Sequence, residues 1–371
     1  MDYAKAYQAL SKWYGLVPYH LAGGYALPPL HVFIEVTYRC NLSCRMCQYY
    51  SYMKDSKNRE SQPDDLTFDE IKGVINSVPW YTLFTFTGGE LFFRKDMMDI
   101  LEWAARRRIS IVTNGTLLDE GRIQRLVELA PKSPLGNGLL LVDVSLEGTE
   151  ETHDDITGVK GSFARTVRTL RLLSEARKKK GGKYPVLNMK TVITKHNLED
   201  LGYLYGLASE LELDMFNPMI KSDIDVHTHR LSSKEEGDLK RATVVKEGLD
   251  TAMLTAQLKG IMVRHGKQGS PQIRFTPPDI PIEEVARYYD RTMDINNYAC
   301  YSPWSRAAIS AYGDVTFCPF FSLGNIRRKS FREIWNGAEM VRMRRALKKD
   351  NIYPGCMGCC NMTYTGTGRS R

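Results

Sequence analysis

No apolar run in the chain approaches the roughly 18 residues that a membrane-spanning helix needs. The first residues, MDYAKAYQALSKWYG, lack the continuous apolar stretch of a secretory signal. Together these absences exclude a spanning helix and an exported precursor, and the expected location is cytoplasmic. There is no internal repeat and no low-complexity tract. Positive charge is in excess, at a formal +8, but it is not focused. Arg106-Arg107-Arg108, Lys178-Lys179-Lys180 and Arg327-Arg328-Lys329 are far apart, and the first two end predicted helices, where cations suit the helix dipole. No nucleic-acid module accompanies them, so a nucleic-acid partner is not expected. A mildly basic surface does suit an acidic electron donor of the flavodoxin or ferredoxin type.

Cysteine is sparse, at 8 of 371 residues, and it is clustered. Three cysteines lie between residues 40 and 47, and the other five lie beyond residue 299. In a chain without a secretory signal, such clusters point to metal or redox chemistry rather than to disulfides.

Residues 30 to 220 alternate strand-like and helix-like segments. His31–Thr37, Trp80–Thr87, Ile109–Thr113, Leu139–Leu146, Asn188–Thr194 and Met215–Ile220 are short, rich in β-branched or aromatic residues and bounded by turn residues. Between them, Thr67-Phe68-Asp69-Glu70 is a capping box for a helix running to about Ser77. Further helical patterns cover Asp96–Arg107, Asp119–Leu129, Ser162–Lys180 and Leu198–Glu212. This alternation predicts a parallel sheet with right-handed crossovers. Six strands cannot close an eight-stranded barrel, so the expected fold class is α/β, a partial (β/α)6 TIM-like barrel with chemistry at the C-terminal strand ends.

The expected divisions are an N-terminal helical extension (1–29), a core barrel (30–225), a pocket-forming linker (226–297) and a small C-terminal α+β domain (298–371). In the extension, Tyr3, Tyr7, Leu10 and Trp13/Tyr14 recur at helical spacing and predict a helix packed on the barrel. Ser233–Glu236 can cap a helix, and Ser270–Ile282 reads as irregular. Ala307–Phe317, with Gly313-Asp314 at its turn, reads as a hairpin, followed by a helix over Phe331–Leu347.

Directly after the first strand comes Cys40-Asn-Leu-Ser-Cys44-Arg-Met-Cys47. Three thiolates on one loop can bind three irons of a cubane and leave the fourth open to a small molecule. Zinc usually wants four protein ligands in two pairs, which this spacing fits poorly. The second strand ends in Gly88-Gly89-Glu90, the third in Thr113-Asn114-Gly115, and the fourth in Ser145-Leu-Glu147-Gly148, then Thr152-His153-Asp154.

The cysteine triplet and these strand ends resemble the radical S-adenosylmethionine (SAM) superfamily, whose signature is C-x3-C-x-aromatic-C. Met46 stands at the aromatic position, where it can pack on the adenine. The resemblance implies that Cys40, Cys44 and Cys47 hold a 4Fe–4S cluster, and that SAM cleaved there yields a 5′-deoxyadenosyl radical. It further implies that Gly88, Gly89 and Glu90 meet the SAM amino group, with Asn114 and Ser145 lining the same site. Glu147 and Thr157-Gly158 replace the commoner Asp and Arg-Gly. Arg165 is then a candidate carboxylate partner and equally a surface helix residue. Lys190 and Asn217 can face the interior, and His153 is expected to form a structural hydrogen bond.

The second cysteine group also resembles that superfamily, in its C-terminal SPASM and twitch extensions. Cys300, Cys318, Cys356 and Cys359 are the expected ligands of an auxiliary 4Fe–4S cluster, with Cys360 spare or replacing Cys359. A four-cysteine zinc site is the alternative. The layout closely resembles that of a twitch dehydrogenase acting on an aminocyclitol. It implies oxidation of a small sugar- or cyclitol-like alcohol, with the auxiliary cluster as electron acceptor. Epimerisation and ribosomal-peptide modification are alternatives; a non-catalytic electron carrier is a third, disfavoured by the open iron and by Gly88-Gly89-Glu90. Only about 30 residues precede the barrel, fewer than a leader-peptide-binding domain needs, so a small-molecule substrate is expected.

Overall fold

A computed structural model describes residues 3–21, 23–47, 49–50, 54, 63–221, 248–265, 271–277, 280–317, 323–353, 356, 359 and 361–366. Strands β1 (His31–Glu35), β2 (Leu83–Thr87), β3 (Arg108–Thr113), β4 (Gly138–Ser145), β5 (Val186–Ile193) and β6 (Met215–Ile220) stand side by side in chain order, all parallel. The helices Phe68–Asn76, Met97–Ala104, Glu120–Glu128, Ser162–Lys180 and Leu201–Glu210 cross over between them. The expected capping box is formed: the Thr67 side chain accepts from Glu70 N, and the Glu70 side chain accepts from Thr67 N.

One sheet face carries Val32, Ile34, Phe84, Phe86, Ile109, Ile111, Val142, Val144, Leu187, Met189 and Phe216, all fully buried. They share one core with helix residues such as Ile71, Leu101, Leu126, Leu170 and Leu204. The alternate residues, among them His31, Phe33, Glu35, Thr85, Ser110, Asp143, Asn188, Lys190 and Asn217, form the opposite, polar face. Side chains alternate strictly along a strand, so this face is the barrel lumen.

Among the described residues the sheet has nine strands, in the order β10-β9-β1-β2-β3-β4-β5-β6-β7. The short β7 (Gln272–Ile273) adds to β6 within a stretch expected to be irregular, between the helices Thr251–Arg264 and Ile282–Asp290. The expected hairpin is present as β9 (Arg306–Ile309) and β10 (Val315–Thr316), with Gly313 at φ +90° in the turn. Its β9 strand pairs parallel to β1, so the C-terminal segment extends the barrel sheet itself. A further two-stranded sheet pairs β8 (Tyr298–Ala299) with β11 (Thr363–Tyr364).

Several expectations are corrected. The second strand begins at Leu83, because Thr82 N bonds Pro79 O in a turn that leaves Trp80 exposed. Glu150–Thr157, read only as a motif, is a helix. The last helix is two, Phe331–Trp335 and Ala338–Asp350. The break is local: Gly337 is extended, and Asn336 is drawn off to bond Ala26 N and O. The first helix spans Tyr3–Leu21, but Leu10 and Trp13 point to solvent, at 59% and 68% exposed. Gly15 allows close approach on another face, so Tyr19 packs edge-on against Tyr301 and Trp304 at 5.0 and 4.8 Å. The helix therefore packs on the C-terminal segment as well as on the barrel, where the Tyr14 and Tyr81 hydroxyls meet at 3.1 Å. Ser233–Glu236 lies outside the described residues.

Candidate active site and cluster ligands

The cysteine loop leaves β1 at its C-terminal end and is fastened from three sides. Gly89 N donates to Thr37 O (2.7 Å) and Glu90 N to Arg39 O (2.9 Å), which lays the turn after β2 along the loop backbone. Glycine is required here. A Cβ at Gly88 would stand 2.3 Å from Thr37 O, with φ at +135°, and one at Gly89 would stand 2.3 Å from Arg39 O. On the second side, Ser43 N and Arg45 N donate to Thr157 O and Ile156 O at the C-terminus of the helix Glu150–Thr157, each at 2.9 Å. Those orphan helix carbonyls are thereby satisfied by the loop. On the third side, Asn41 Nδ2 donates to Thr116 Oγ1 (2.8 Å), and Asn114 Nδ2 donates to Asn41 Oδ1 (3.1 Å).

Cys40, Cys44 and Cys47 lie near one another, and burial pushes all three thiols up, Cys40 to about 11. The neighbouring sulfur charges raise Cys40 and Cys44 further. Leu42 N (3.4 Å) and Asn114 Nδ2 (3.8 Å) donate to Cys40 Sγ. Mutually repelling thiols, Cys40 exposed and Cys44 and Cys47 partly buried, favour a positively charged partner, and N–H donors to sulfur suit a cluster. The donor chemistry is that of a cubane held by three thiolates, while among the described residues no three His, Cys, Asp or Glu side chains are gathered closely enough to hold a metal ion.

Glu90 is fully buried. Its Oε1 accepts from Phe92 N (3.1 Å) and Thr113 Oγ1 (2.8 Å), and its Oε2 from Asn114 N (2.8 Å). Burial raises its pKa above the ordinary carboxylate range. The carboxylate thus ties the ends of β2 and β3 together, and through Asn114 it reaches Cys40. Thr166 and Thr169, at the start of the helix Ser162–Lys180, hold the Asn114 and Gly115 carbonyls at 2.8 and 2.6 Å. Ser145 and Met46 are partly exposed, and the Ser145 hydroxyl makes no hydrogen bond among the described residues. Arg165 is exposed, one residue from Thr166.

His153 accepts from Glu147 N through Nδ1 (3.0 Å), and burial lowers it to about 4, so the ring is neutral and structural. Glu147 is buried beside Thr191 Oγ1 (3.2 Å) and Val192 N (2.9 Å), and burial raises it to about 7. Lys190 does face the lumen, where it pairs with Asp143 at 3.3 Å. Asn217 accepts from Thr276 Oγ1 at 3.1 Å.

Sequence reasoning missed the lumen wall below the cysteine loop. Glu35 accepts from Tyr38 and Tyr49 hydroxyls, each at 2.6 Å. The available signal was a pair of polar residues, His31 and Glu35, on one face of β1, unusual for a parallel strand.

In the C-terminal segment, Cys300 follows β8, and β11 brings the chain back beside it. Cys359 N donates to Cys356 O (2.9 Å). Burial pushes Cys300 up to about 12 and Cys356 to about 11, and the Cys356 charge adds to the rise at Cys300. Cys300, Cys356 and Cys359 all pack against the core. These partly buried thiols have the donor chemistry of a metal cluster. Cys318 and Cys360 lie outside the described residues. Among the described residues, no helix is long and apolar enough to cross a membrane.

Residues 34–208 match the Radical SAM superfamily, and residues 300–360 match SPASM, an iron–sulfur cluster-binding domain. The chain is similar to the AdoMet-dependent heme synthase of Methanosarcina barkeri, 27% identical over 90% of this chain and 92% of that protein. It is also similar to the subtilosin biosynthesis protein AlbA of Bacillus subtilis, 26% identical over 83% of this chain but only 60% of that one. Among solved structures, Streptococcus suis SuiB bound to S-adenosylmethionine shares the fold, with a TM-score of 0.61 at 15% identity over 88% of this chain and 70% of that one. The two domains imply a 4Fe–4S cluster, SAM binding and an auxiliary cluster. The chain therefore belongs to the radical SAM superfamily, as an enzyme with a C-terminal SPASM domain.

Proposed function

We propose that the enzyme abstracts a hydrogen atom from a substrate held in the polar lumen and oxidises it, with Cys40, Cys44 and Cys47 holding the SAM cluster. Cys300, Cys318, Cys356 and Cys359 hold the auxiliary one. When bound, these groups supply a 5′-deoxyadenosyl radical and a one-electron acceptor. The chain's own part is to position. The convergence of the Gly88–Glu90 turn, Asn114 and the helix Glu150–Thr157 on the cysteine loop is the observation that carries the reading.

Gly88 and Gly89 lend backbone to the SAM amino group, while the Glu90 carboxylate holds that backbone in place. Ser145 offers its hydroxyl, Met46 packs on the adenine, and Arg165 reaches the SAM carboxylate. Glu35, with Tyr38 and Tyr49, sits on the lumen wall below and can accept the proton lost on oxidation. A reduced flavodoxin or ferredoxin supplies the electron for SAM cleavage, and the cytoplasm suits such chemistry.

The substrate expected from sequence is a sugar- or cyclitol-like alcohol. A second reading is a heme-type substrate, whose propionate side chains are carboxylates. It is favoured by the match to the heme synthase along nearly its whole length.

The test uses anaerobically reconstituted full chain with dithionite and SAM. About eight irons per chain with 5′-deoxyadenosine formation is the expected result. About four irons with turnover would remove the auxiliary cluster from the proposal, and no SAM cleavage would overturn it.

A further inference from the structure

Six of the twelve exposed large apolar side chains among the described residues lie between Leu10 and Leu27. On the first helix they fall at Leu10, Trp13, Val17 and Leu21, and Leu21 is 82% exposed. At about 100° per residue, these four positions span an arc of about 80°. Gly15 and Tyr19, which meet the C-terminal segment, lie on the opposite side of the helix. The stripe is therefore a ridge left open after the helix has packed. Tyr81, bonded to Tyr14, brings Trp80 alongside, with its ring 5.8 Å from that of Tyr81 and 73% exposed. Side chains this exposed protrude, whereas the walls of a groove would be half-buried. Scattered apolar residues need no explanation, but a continuous run of them marks a contact site.

The charge around the ridge has one sign. No Asp or Glu occurs between Tyr3 and Ile34. The helix Ala338–Asp350 lies beside the end of the first helix, so close that a Cβ at Gly24 would stand 2.8 Å from Val341 O. From it, Arg345 Nε donates to Gly23 O at 2.6 Å and Lys348 Nζ to His20 O at 3.1 Å. These bonds set two cations at the C-terminal end of the ridge, and Arg342 and Lys349 are exposed on the same helix. None of the four makes an ion pair among the described residues. The acids of that helix, Glu339 and Asp350, stand at its two ends. A second copy of the chain would set these cations against one another. An acidic surface with an apolar interior complements them. Trp and Tyr favour the boundary between headgroups and acyl chains, and an apolar stripe flanked by Lys and Arg suits a helix lying in the plane of an anionic bilayer.

We propose that the first helix seats the enzyme on an anionic lipid bilayer. Leu10, Trp13, Val17, Leu21 and Trp80 enter the headgroup boundary, and Arg342, Arg345 and Lys349 face the lipid phosphates. The fold sets the orientation. Tyr14 donates to Pro28 O just before β1, and Tyr81 lies just before β2, so the ridge is at the N-terminal end of the sheet. The cysteine loop leaves β1 at the other end. A seated enzyme therefore turns its cysteine loop away from the lipid and toward water.

The test uses the reconstituted full chain and vesicles made of equal parts phosphatidylglycerol and phosphatidylcholine. Co-sedimentation should show binding that falls at least tenfold on pure phosphatidylcholine and in about 0.5 M salt. Leu10→Gln with Leu21→Gln should weaken binding at least tenfold, with melting temperature and 5′-deoxyadenosine formation in solution unchanged. Brominated acyl chains should quench the tryptophan fluorescence of the native chain. Trp13→Phe with Trp80→Phe should remove that quenching and keep the binding, because Trp304 and Trp335 are buried and Trp103 packs on the core. No binding to the anionic vesicles would overturn the proposal. So would full binding by the Leu10→Gln/Leu21→Gln chain. A native dimer that the same substitutions dissociate would assign the ridge to a second copy, and capture of an acidic amphipathic peptide without vesicle binding would assign it to a protein partner; either result overturns the proposal.

Discussion

Replacing Glu90 by Gln separates two roles for the most buried carboxylate near the cysteine loop. The shape is kept, and only one acceptor atom becomes an NH2 donor. With the amide oxygen at the Oε1 position, the bonds from Phe92 N and Thr113 Oγ1 survive, and the NH2 then faces the Asn114 N–H, donor to donor. The loss is one charge-assisted hydrogen bond, about 1.5–3 kcal/mol, plus a buried N–H left without a partner, about 1–3 kcal/mol. Removing a buried charge that burial already disfavours offsets part of this. The net expectation is a destabilisation of about 2–3 kcal/mol. Urea unfolding of the cluster-loaded chain, followed by tryptophan fluorescence and by cluster absorbance, should show a lower midpoint at unchanged slope. SAM cleavage should fall with the loosened Asn114, while SAM affinity changes less than threefold. An unchanged midpoint with SAM binding weakened tenfold or more would refute the reasoning, because the carboxylate would then be meeting the SAM ammonium directly.

Glu147 has a folded-state pKa of about 7, above its ordinary value, so its contribution to stability is present at low pH and is lost as pH rises toward 7. Comparing Glu147→Gln with the native chain, the stability difference should move by about 2 kcal/mol in favour of Gln between pH 5.5 and 7. A flat difference in urea midpoints would contradict the raised pKa. Cys44→Ala should abolish 5′-deoxyadenosine formation and remove about four irons, sparing the C-terminal cluster; continued cleavage at the native rate would exclude the ligand assignment. Cys318→Ala should also lower iron by about four atoms while leaving some SAM cleavage, and unchanged iron would exclude it as a ligand. Gly89→Ala places a Cβ 2.3 Å from Arg39 O, so the loop must move by about 1 Å. A cost of about 1–3 kcal/mol and reduced iron at the first site are expected from iron analysis and melting.

What could be read from the chain depended on how local each signal was. Met215–Ile220 and Ser162–Lys180 have the bounds expected from sequence, because periodicity and end signals agree there. The SAM-end motifs were legible because each is a run of adjacent residues. The alignment of Arg306 with His31 across β9 and β1 was not, since strand register alone brings together residues more than 270 positions apart. The face chosen by the first helix was equally hidden: Leu10 and Trp13 have core-like chemistry, but Gly15 decides which side comes close. Glu90 looked like a ligand-facing acid, and only its three donors reveal an inward-facing tether.

The pairing of β9 with β1 makes the C-terminal segment a guard as well as a cluster holder. Without it, β1 would be an edge strand with a bare row of N–H and C=O groups flanked by Val32 and Ile34, an open template for another chain. Truncating the chain before β9 should therefore give a protein that aggregates, whatever the state of its cysteines. For the same reason, a ribosome-bound chain cannot finish its central sheet until Arg306–Ile309 have emerged, and until then that edge stands uncovered.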